Sequence, residues 1–275
     1  MTDADSQTDL PIIGAQLSVL DLDRHRDWLF EKNRDLELPE FCMSDILRAP
    51  DVFVGMAQTK LDGWTGRLGI HGPFPGFELD VKDKDIRAVV QQRLDQALGV
   101  CEALGAVFMV VHSPFDLWDQ HNMSAKDLGR RIDAMLATLK PALSRAEDQG
   151  VVMVLENIKD VSPAHRAAVI DAAASPALKL SVDTGHANWA RHMAGAPPVD
   201  HFVRDAGEDL RHVHLQDTDG YADRHWVLGE GTIPWAPIFT ALKEIKSDPH
   251  LIVEINEFSR VPEAVAHLEH LGLAQ

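Results

Sequence analysis

Eight apolar runs divide the chain at fairly regular intervals. They lie near residues 12–19, 35–41, 67–74, 106–113, 151–157, 178–184, 210–217 and 250–256. Three of them contain the segments VFMVV, VVMVL and LIVEI, which are largely continuous apolar stretches without polar alternation. Strands that are buried on both faces have this composition, and they are typical of parallel sheets. The pattern therefore predicts eight buried strands in a parallel sheet.

Helical periodicity fills the intervals between these runs. The clearest case is DIRAVVQQRLDQALGVCEAL, whose predicted helix ends at Gly105. Its apolar stripe comprises Ile86, Val89, Val90, Leu94, Leu98 and Cys101. A second helix is expected to begin at Ser124 and end at Gly150, with a kink at Pro141. Further helices are predicted near residues 21–33, 52–64, 162–174, 198–207, 234–246 and 261–272.

Eight strands, each followed by a helix, predict an α/β protein with a (β/α)8 TIM barrel. A doubly wound open sheet is the alternative, but the chain lacks the Gly-rich first turn of a Rossmann fold. The second strand–helix unit is the weakest, because its extended run is short and charged. We predict a single barrel domain over residues 11–275, preceded by a flexible polar N-terminal tail at residues 1–10.

The ends of the apolar runs carry a distinctive set of side chains. Nearly every run finishes in a residue type that binds metals, and the segment YADRHWVLGEG adds two more: the set is His71, His112, Glu156, Asp183, His186, His214, Asp223, His225 and Glu254. Packing does not explain the same placement at six strand ends. In such a barrel the C-terminal ends of the strands form one mouth, where active sites lie. We therefore expect these side chains to converge on one polar site that binds metal.

Composition narrows the functional classes. The formal net charge of -17 argues against non-specific binding to nucleic acid or to an anionic membrane. No apolar run reaches the length of a transmembrane helix, and the N-terminus lacks the basic and apolar segments of a signal peptide. Cys42 and Cys101 indicate neither a disulfide framework nor a CxxC zinc site. We expect a cytoplasmic protein, and a homo-oligomer is compatible with this composition.

The motifs at the strand ends resemble those of the xylose-isomerase-like barrel superfamily. They are, in order, IHGPF, VVHSP, VLEN, SVDTGHA, HVHLQD, DRHWVLGEGTIPW and VEIN, and the resemblance covers roughly residues 12–271. The superfamily includes sugar isomerases, keto-sugar and inosose epimerases, and type IV apurinic endonucleases. In its isomerase and epimerase branch, the resemblance implies one divalent metal held by Glu156, Asp183, His214 and Glu254. This carboxylate-rich set suits Mn²⁺ or Mg²⁺ and tolerates Co²⁺ or Zn²⁺.

For that branch, the resemblance implies a small keto-sugar, an inosose or a sugar derivative as the substrate. The metal polarises a substrate carbonyl, and Glu156 and Glu254 act as base and acid in a proton transfer through an enediolate. His186 is similar to a histidine that binds a substrate hydroxyl. Keto-hexose epimerases place an arginine shortly after the metal-binding histidine, whereas QDTDGYA stands here and the nearest arginine is Arg224. This departure argues against a keto-hexose.

The endonuclease branch implies a different centre, in which nine ligands hold three zinc ions and cleave a phosphodiester. All nine have counterparts in the set above, and the D-R-H spacing and the following L-G-E-G also agree. However, the loops HGPFPGFELDVKD and HSPFDLWDQHN carry more acid than base, unlike loops that enter DNA. The segment GEGTIPWAPIFTALKEI also resembles the isomerase branch. A sugar is therefore the expected partner, and a multi-zinc phosphodiesterase is the alternative.

Each assignment has a structural alternative. The four central residues could form a hydrogen-bond network without a cation, but their buried carboxylates would repel one another. His71 and His112 could bind substrate instead of a second metal, and Asp223 and His225 are equally compatible with a capping or ion-pair role. A non-catalytic sugar-binding barrel is a third class. It is disfavoured because binding alone does not require a pair of opposed carboxylates.

Three further residues are given lesser roles. His212 lies two residues before His214 and shares its strand face, and we predict a core histidine there. Glu230, between two glycines, is interpreted as a turn residue or a partner that orients a ligand. Lys159 is interpreted as a surface lysine, with an anchor for a substrate carboxylate or phosphate as the alternative.

Overall fold

The computed structural model describes residues 10–120 and 123–275. Eight parallel strands form one closed barrel in sequence order, which confirms the predicted (β/α)8 fold. The strands are β1 (Gly14–Gln16), β2 (Leu36–Leu38), β3 (Leu68–His71), β4 (Phe108–His112), β5 (Val152–Glu156), β6 (Leu178–Asp183), β7 (Leu210–Leu215) and β8 (His250–Val253). Most of the predicted N-terminal tail, residues 1–9, lies outside the described residues.

The barrel closes where its first strand meets its last. Ala15 of β1 pairs with Val253 of β8 on one side and with Leu36 of β2 on the other. Every other neighbouring pair is also parallel. All eight strands therefore end at the same mouth of the barrel, which is where the sequence places its candidate ligands.

Helices surround the barrel. They are α1 (Leu22–Glu31), α2 (Ser44–Arg48), α3 (Asp51–Lys60), α4 (Lys84–Leu104), α5 (Leu117–Gln120), α6 (Ala125–Gln149), α7 (Pro163–Ala173), α8 (Thr184–Ala194), α9 (Val199–Ala206), α10 (Trp235–Glu244) and α11 (Val261–His270). The sequence did not predict α8, which begins directly after β6. Among the described residues, none of these helices is long and apolar enough to cross a membrane.

The two longest helices begin and end where the sequence predicts. Asp83 caps α4 by accepting hydrogen bonds from the backbone N–H groups of Asp85 and Ile86, and Gly105 ends it with a φ of 65°. Ser124 and Gly150 have the same two roles in α6. The predicted apolar stripe of α4 is wrong at its start, because Ile86 and Val89 are exposed. The buried face of α4 begins at Val90.

Two apolar layers result from the alternation of side chains along the strands. Met109 and Val111 of β4 belong to the large core between barrel and helices, whereas Phe108 and Val110 belong to a small separate cluster. Successive strand residues face opposite sides, so this second cluster fills the barrel interior. Gly69 makes room for it, since a Cβ there would lie 2.1 Å from the Phe108 ring. The barrel interior here is filled by this cluster and by the rings of His212 and His250, which contact Phe108.

Candidate metal centre and active site

Four strand ends bring the predicted central ligands together. Glu156 ends β5, Asp183 ends β6, His214 lies in β7, and Glu254 follows β8 directly. Each offers one ligand atom, and these four atoms lie within 4.8 Å of one another. Three carboxylates and one imidazole form a donor set that suits a hard or borderline divalent cation.

His214 lies between the two glutamates. Its Nδ1 is 2.8 Å from Glu156 Oε1 and 3.2 Å from Glu254 Oε2. Both carboxylates therefore approach the same ring nitrogen of His214, Glu156 from the end of β5 and Glu254 from the residue after β8. Glu156 is almost wholly buried, with 1% of its side chain exposed, whereas Glu254 retains 12% exposure.

Two buried carboxylate oxygens in this group have no hydrogen-bond partner: Glu156 Oε2 and Asp183 Oδ2. The other oxygen of Asp183 caps α8 by accepting the backbone N–H of His186 at 2.6 Å. Unpaired buried acceptors are costly in an apolar interior. A divalent cation would satisfy both oxygens at once, so the residues present fit a bound metal.

The pKa values of Glu156 and His214 also indicate that this group of carboxylates requires positive charge. Burial opposes ionisation of Glu156, but the positive charge of His214 outweighs it and holds the pKa of this carboxyl well below its usual range. Burial also opposes protonation of His214, yet the surrounding carboxylates Glu254, Glu37 and Glu156 raise its pKa well above the usual value. The proton on His214 thus provides positive charge that balances the surrounding carboxylates. A bound metal ion would supply this positive charge instead.

A second group of possible ligands adjoins the first through Glu156. His71, His112 and Glu156 each offer an atom within the same short range. His71 Nδ1 lies 3.0 Å from the carbonyl oxygen of Gly72, which only accepts, so Nδ1 carries the proton and Nε2 presents its lone pair. Burial lowers the pKa of His112 to about 3, which keeps this ring neutral and able to ligate.

A third group lies on the other side of the mouth and consists of His186, Asp223 and His225. The Nε2 atoms of the two histidines lie 3.3 and 3.1 Å from the Asp223 carboxylate oxygens. His186 Nδ1 is 3.0 Å from the carbonyl of Asn157 and therefore carries the proton in the neutral ring. His225 has a φ of 48°, a left-handed conformation that is uncommon outside glycine. Asp223 and His225 thus lie beside His186 at the mouth of the barrel, where Asp223 pairs with both histidines.

Gln216 links two of these groups. Its Nε2 lies 3.2 Å from Asp183 Oδ1 and 3.1 Å from Asp223 Oδ1, and its Oε1 accepts the backbone N–H of His225. The amide lies directly against Gly185, where a Cβ would be 2.1 Å from it. The glycine of the DTGH motif therefore leaves space for this link.

Sequence reasoning missed two polar residues inside the barrel, Gln16 and Glu37. Glu37 accepts a hydrogen bond from Gln16 Nε2 at 2.9 Å, and both of its oxygens lie 3.2 Å from His214 Nε2. His212, predicted as a core histidine, is fully buried, and its Nδ1 is 2.8 Å from Ser181 Oγ. The sequence shows at Glu37 only a charged residue within a short, charged extended run.

A buried cation supports the strand ends beneath the centre. Arg166 donates to the carbonyl oxygens of Leu155 and Ser181, at 2.8 and 2.5 Å, and its Nε lies 3.2 Å from Asp160 Oδ1. Asp160 in turn accepts a hydrogen bond from Ser113 at 2.9 Å. This network ties together the ends of β4, β5 and β6, which carry three of the site residues.

A cavity of about 190 Å³, lined in part by His112, opens beside the candidate metal centre. Phe74, which stacks on the His112 ring with centroids 4.0 Å apart, forms one wall together with Phe77. Asp116 and Lys159, with their charged groups 3.8 Å apart, lie on the other side. Lys159 therefore lines the approach to the site. Glu230 does not face the site and pairs with Arg260 at 2.7 Å.

A family model described as xylose isomerase-like TIM barrel matches residues 56–271. The chain belongs to this family. Among curated proteins it is 26% identical over 204 residues to the uncharacterized protein MJ1311 of Methanocaldococcus jannaschii, with 70% of this chain and 66% of that protein covered. It is also 26% identical over 207 residues to fructoselysine 3-epimerase of Escherichia coli O157:H7, with 68% of each covered. The chain thus spans about two thirds of the length of these relatives.

Solved structures extend the likeness over nearly the whole fold. A D-tagatose 3-epimerase-like protein superposes with a TM-score of 0.74 at 24% identity, covering 94% of this chain and 96% of that one. The TTHB071 protein of Thermus thermophilus, studied after soaking with ZnCl2, gives a TM-score of 0.74 at 24% identity, with 96% and 99% covered. At these identities the likeness is one of fold.

Proposed function

We propose that this protein is a divalent-metal-dependent isomerase or epimerase that acts on a small keto-sugar, an inosose or a related sugar derivative. The observation that carries the proposal is the placement of Glu156 and Glu254 against His214 Nδ1, at 2.8 and 3.2 Å. Two carboxylates at one metal centre provide a base and an acid for the same substrate carbon. The epimerase names of several relatives support this assignment.

Glu156, Asp183, His214 and Glu254 would hold the metal. When bound, it supplies positive charge that stabilises the oxyanion developing on the substrate carbonyl. The orphaned oxygens of Glu156 and Asp183 are the observation that supports this role.

The two glutamates divide the proton transfer between them. One removes the proton next to the substrate carbonyl, giving an enediolate, and the other returns a proton to it. Glu254 is the more exposed of the two and can exchange its proton with water, whereas Glu156 is enclosed. Gln16 orients Glu254 by donating to its Oε1 at 2.7 Å.

The cavity beside His112 would receive the remainder of the substrate. The faces of Phe74 and Phe77 suit the apolar side of a sugar, and Lys159 and Asp116 offer polar contacts for its substituents. This arrangement also supports a sugar derivative that carries a charged group.

The test is solvent exchange at a substrate C–H bond, followed by NMR in D2O with a panel of ketoses and inososes and saturating Mn²⁺. We expect Glu156→Gln to lose exchange at least about 100-fold while sugar binding survives, because proton transfer in the transition state is worth about that much. Glu230→Gln, which removes a surface carboxylate, should exchange like the wild type. Persistent exchange in Glu156→Gln would remove its role as the base.

A second candidate function is a multi-zinc phosphodiesterase. The observation that favours it is the presence of two further ligand groups, His71 with His112 and His186 with Asp223 and His225, around the central four residues. Elemental analysis of the protein, purified without chelator, separates the two. About one metal per chain supports the sugar enzyme, whereas two or three zinc ions, together with cleavage of abasic DNA or a phosphodiester, support the hydrolase.

A further inference from the structure

Glu37 is a fully buried carboxylate in the barrel interior, directly beneath the metal centre. It lies in β2, where its neighbours Leu36 and Leu38 belong to the apolar core between barrel and helices. Strand alternation therefore turns Glu37 inward. A charge in this position is costly unless it is well compensated, so its contacts should reveal why it is there.

Nitrogen atoms converge on the Glu37 carboxylate from three side chains. Gln16 Nε2 donates at 2.9 Å, His212 Nε2 lies 3.0 Å from Oε2, and His214 Nε2 lies 3.2 Å from both oxygens. Both carboxylate oxygens of Glu37 thus accept hydrogen bonds from His214, and Oε1 also accepts one from Gln16. Glu37 is therefore better suited to holding ligands in place than to binding the metal itself.

The contact with His214 determines which ring nitrogen faces the centre. Because Glu37 accepts at Nε2, that nitrogen carries the proton, and Nδ1 keeps its lone pair in the neutral ring. Nδ1 is the atom that lies 2.8 Å from Glu156 and 3.2 Å from Glu254. The pairing with Glu37 therefore aims the ligating atom of His214 at the two glutamates.

Gln16 extends the same support to a second ligand. Its Nε2 donates to Glu37 Oε1 at 2.9 Å and to Glu254 Oε1 at 2.7 Å. One buried carboxylate thus fixes His214 directly and Glu254 through one amide. Partners of this kind orient metal ligands, and their loss typically weakens metal binding by roughly 10- to 100-fold.

We propose that Glu37 is a positioning residue that fixes His214 as an Nδ1 ligand and, through Gln16, sets the orientation of Glu254. The inference rests on the part of the proposed function that makes His214 a metal ligand. It makes the metal affinity depend on Glu37, a residue outside the four-ligand set. It does not depend on the identity of the sugar.

The first test uses the wild-type protein loaded with Zn²⁺ and labelled with ¹⁵N-histidine. We expect the NMR signals of His214, assigned with His214→Gln, to show zinc at Nδ1 and a slowly exchanging proton at Nε2. Zinc at Nε2, or an Nε2 proton that exchanges as fast as that of an exposed histidine, would overturn the proposal. This measurement needs no variant of Glu37 to fold.

The second test compares Glu37→Gln with Asp35→Asn by competition with a fluorescent zinc chelator. Asp35 pairs with His250 Nδ1 at 2.8 Å, so Asp35→Asn breaks a matched carboxylate–histidine pair at the other end of the barrel. We expect the zinc Kd to rise about 10- to 100-fold in Glu37→Gln and to stay within about twofold in Asp35→Asn. In the same Glu37→Gln sample, the His214 Nε2 proton should lose its protection.

The outcomes separate this inference from the proposed function. If His214→Gln binds zinc as tightly as the wild type, His214 is not a ligand and the proposed metal centre fails. If His214→Gln weakens zinc binding but Glu37→Gln does not, the centre stands and the role of Glu37 is overturned. Equal losses in Glu37→Gln and Asp35→Asn would also overturn it, because the effect would then be one of general stability.

Discussion

His71 Nε2 and His112 Nε2 lie 3.3 Å apart at the mouth of the barrel, and both approach Glu156 Oε2, at 4.0 and 3.4 Å. Two nitrogens bound to one tetrahedral zinc ion at its usual bond length would be separated by about 3.3 Å. The rings are held in this arrangement by the Gly72 carbonyl on one side and the Phe74 ring on the other.

Under the phosphodiesterase alternative, this geometry predicts a second, weaker zinc site next to the proposed four-ligand centre. His71→Ala should remove the weaker step of a zinc titration and leave the tighter step in place. Isothermal titration calorimetry and elemental analysis after gel filtration would measure both. His201→Ala, at an exposed position on α9, is the control. If His71→Ala holds as much zinc as the wild type, the phosphodiesterase alternative loses its basis.

Gly185→Ala should disturb the centre without changing any ligand. The new Cβ would lie 2.1 Å from the Gln216 amide and displace it, so Asp183 and Asp223 would lose the group that joins them. We expect zinc affinity to fall several-fold and the free energy of unfolding to fall by about 1–3 kcal/mol.

The matched control for this substitution is Gly129→Ala in α6, where a Cβ would meet nothing within 4 Å. It should leave zinc binding unchanged and raise stability by up to about 1 kcal/mol, because alanine favours a helix over glycine. A Gly185→Ala protein with wild-type zinc affinity would show that the Gln216 link is not needed.

Arg166→Met should be strongly destabilising. It removes the cation that is paired with the buried Asp160 carboxylate and the side-chain donor to two strand carbonyl oxygens, and breaking a buried pair in this way typically costs about 3–5 kcal/mol. Urea denaturation followed by circular dichroism measures the loss. The double variant Arg166→Met/Asp160→Asn should recover part of it, since no unpaired charge then remains. No recovery would mean that the carbonyl contacts, not the ion pair, carry the stability.

Asp35→Asn should change how stability depends on pH. Burial opposes ionisation of Asp35, but hydrogen bonds from His250 and Arg67 outweigh it and lower the pKa of the carboxyl. A lowered pKa in the folded state stabilises the protein above the unfolded pKa of about 4, and this contribution is lost as pH falls through the folded pKa.

The wild type should therefore exceed Asp35→Asn by about 1–2 kcal/mol at pH 7, with the difference shrinking steadily below about pH 4. Denaturation of the metal-free proteins at several pH values would show this. Asp45→Asn, which removes an exposed carboxylate on α2, should leave the curve unchanged. A constant difference across pH would mean that Asp35 stabilises the fold without its charge.

Much of this fold was predictable, because several of its strands are apolar at successive positions and five of the eight end in a polar residue. Runs such as VFMVV and VVMVL leave few alternatives to a parallel barrel strand, and the barrel then brings their last residues together. The helix after Asp183 was missed for a physical reason. Its first turn, TGHANW, has no apolar stripe because it packs against the polar mouth.

Glu37 shows where sequence patterns fail. A charge within a short extended run looks like evidence against a buried strand, since charged side chains are rarely buried. In this barrel the charge is compensated by His214, His212 and Gln16, which come from two other strands. Such compensation depends on contacts between residues far apart in the chain, and no local pattern reports it.

The closure of the barrel by β1 and β8 makes its chemistry dependent on the two ends of the chain. The hydrogen bond between Gln16 and Glu254 spans 238 residues, and it crosses the seam where the first and last strands pair. A chain that has folded every strand except the last would hold a cleft with an incomplete ligand set. A metal that binds only the complete ligand set would stabilise the closed barrel over the barrel opened between β1 and β8, by its free energy of binding. A metal bound at this centre would therefore hold β1 and β8 together. Separation of these two strands and release of the ion would then occur together.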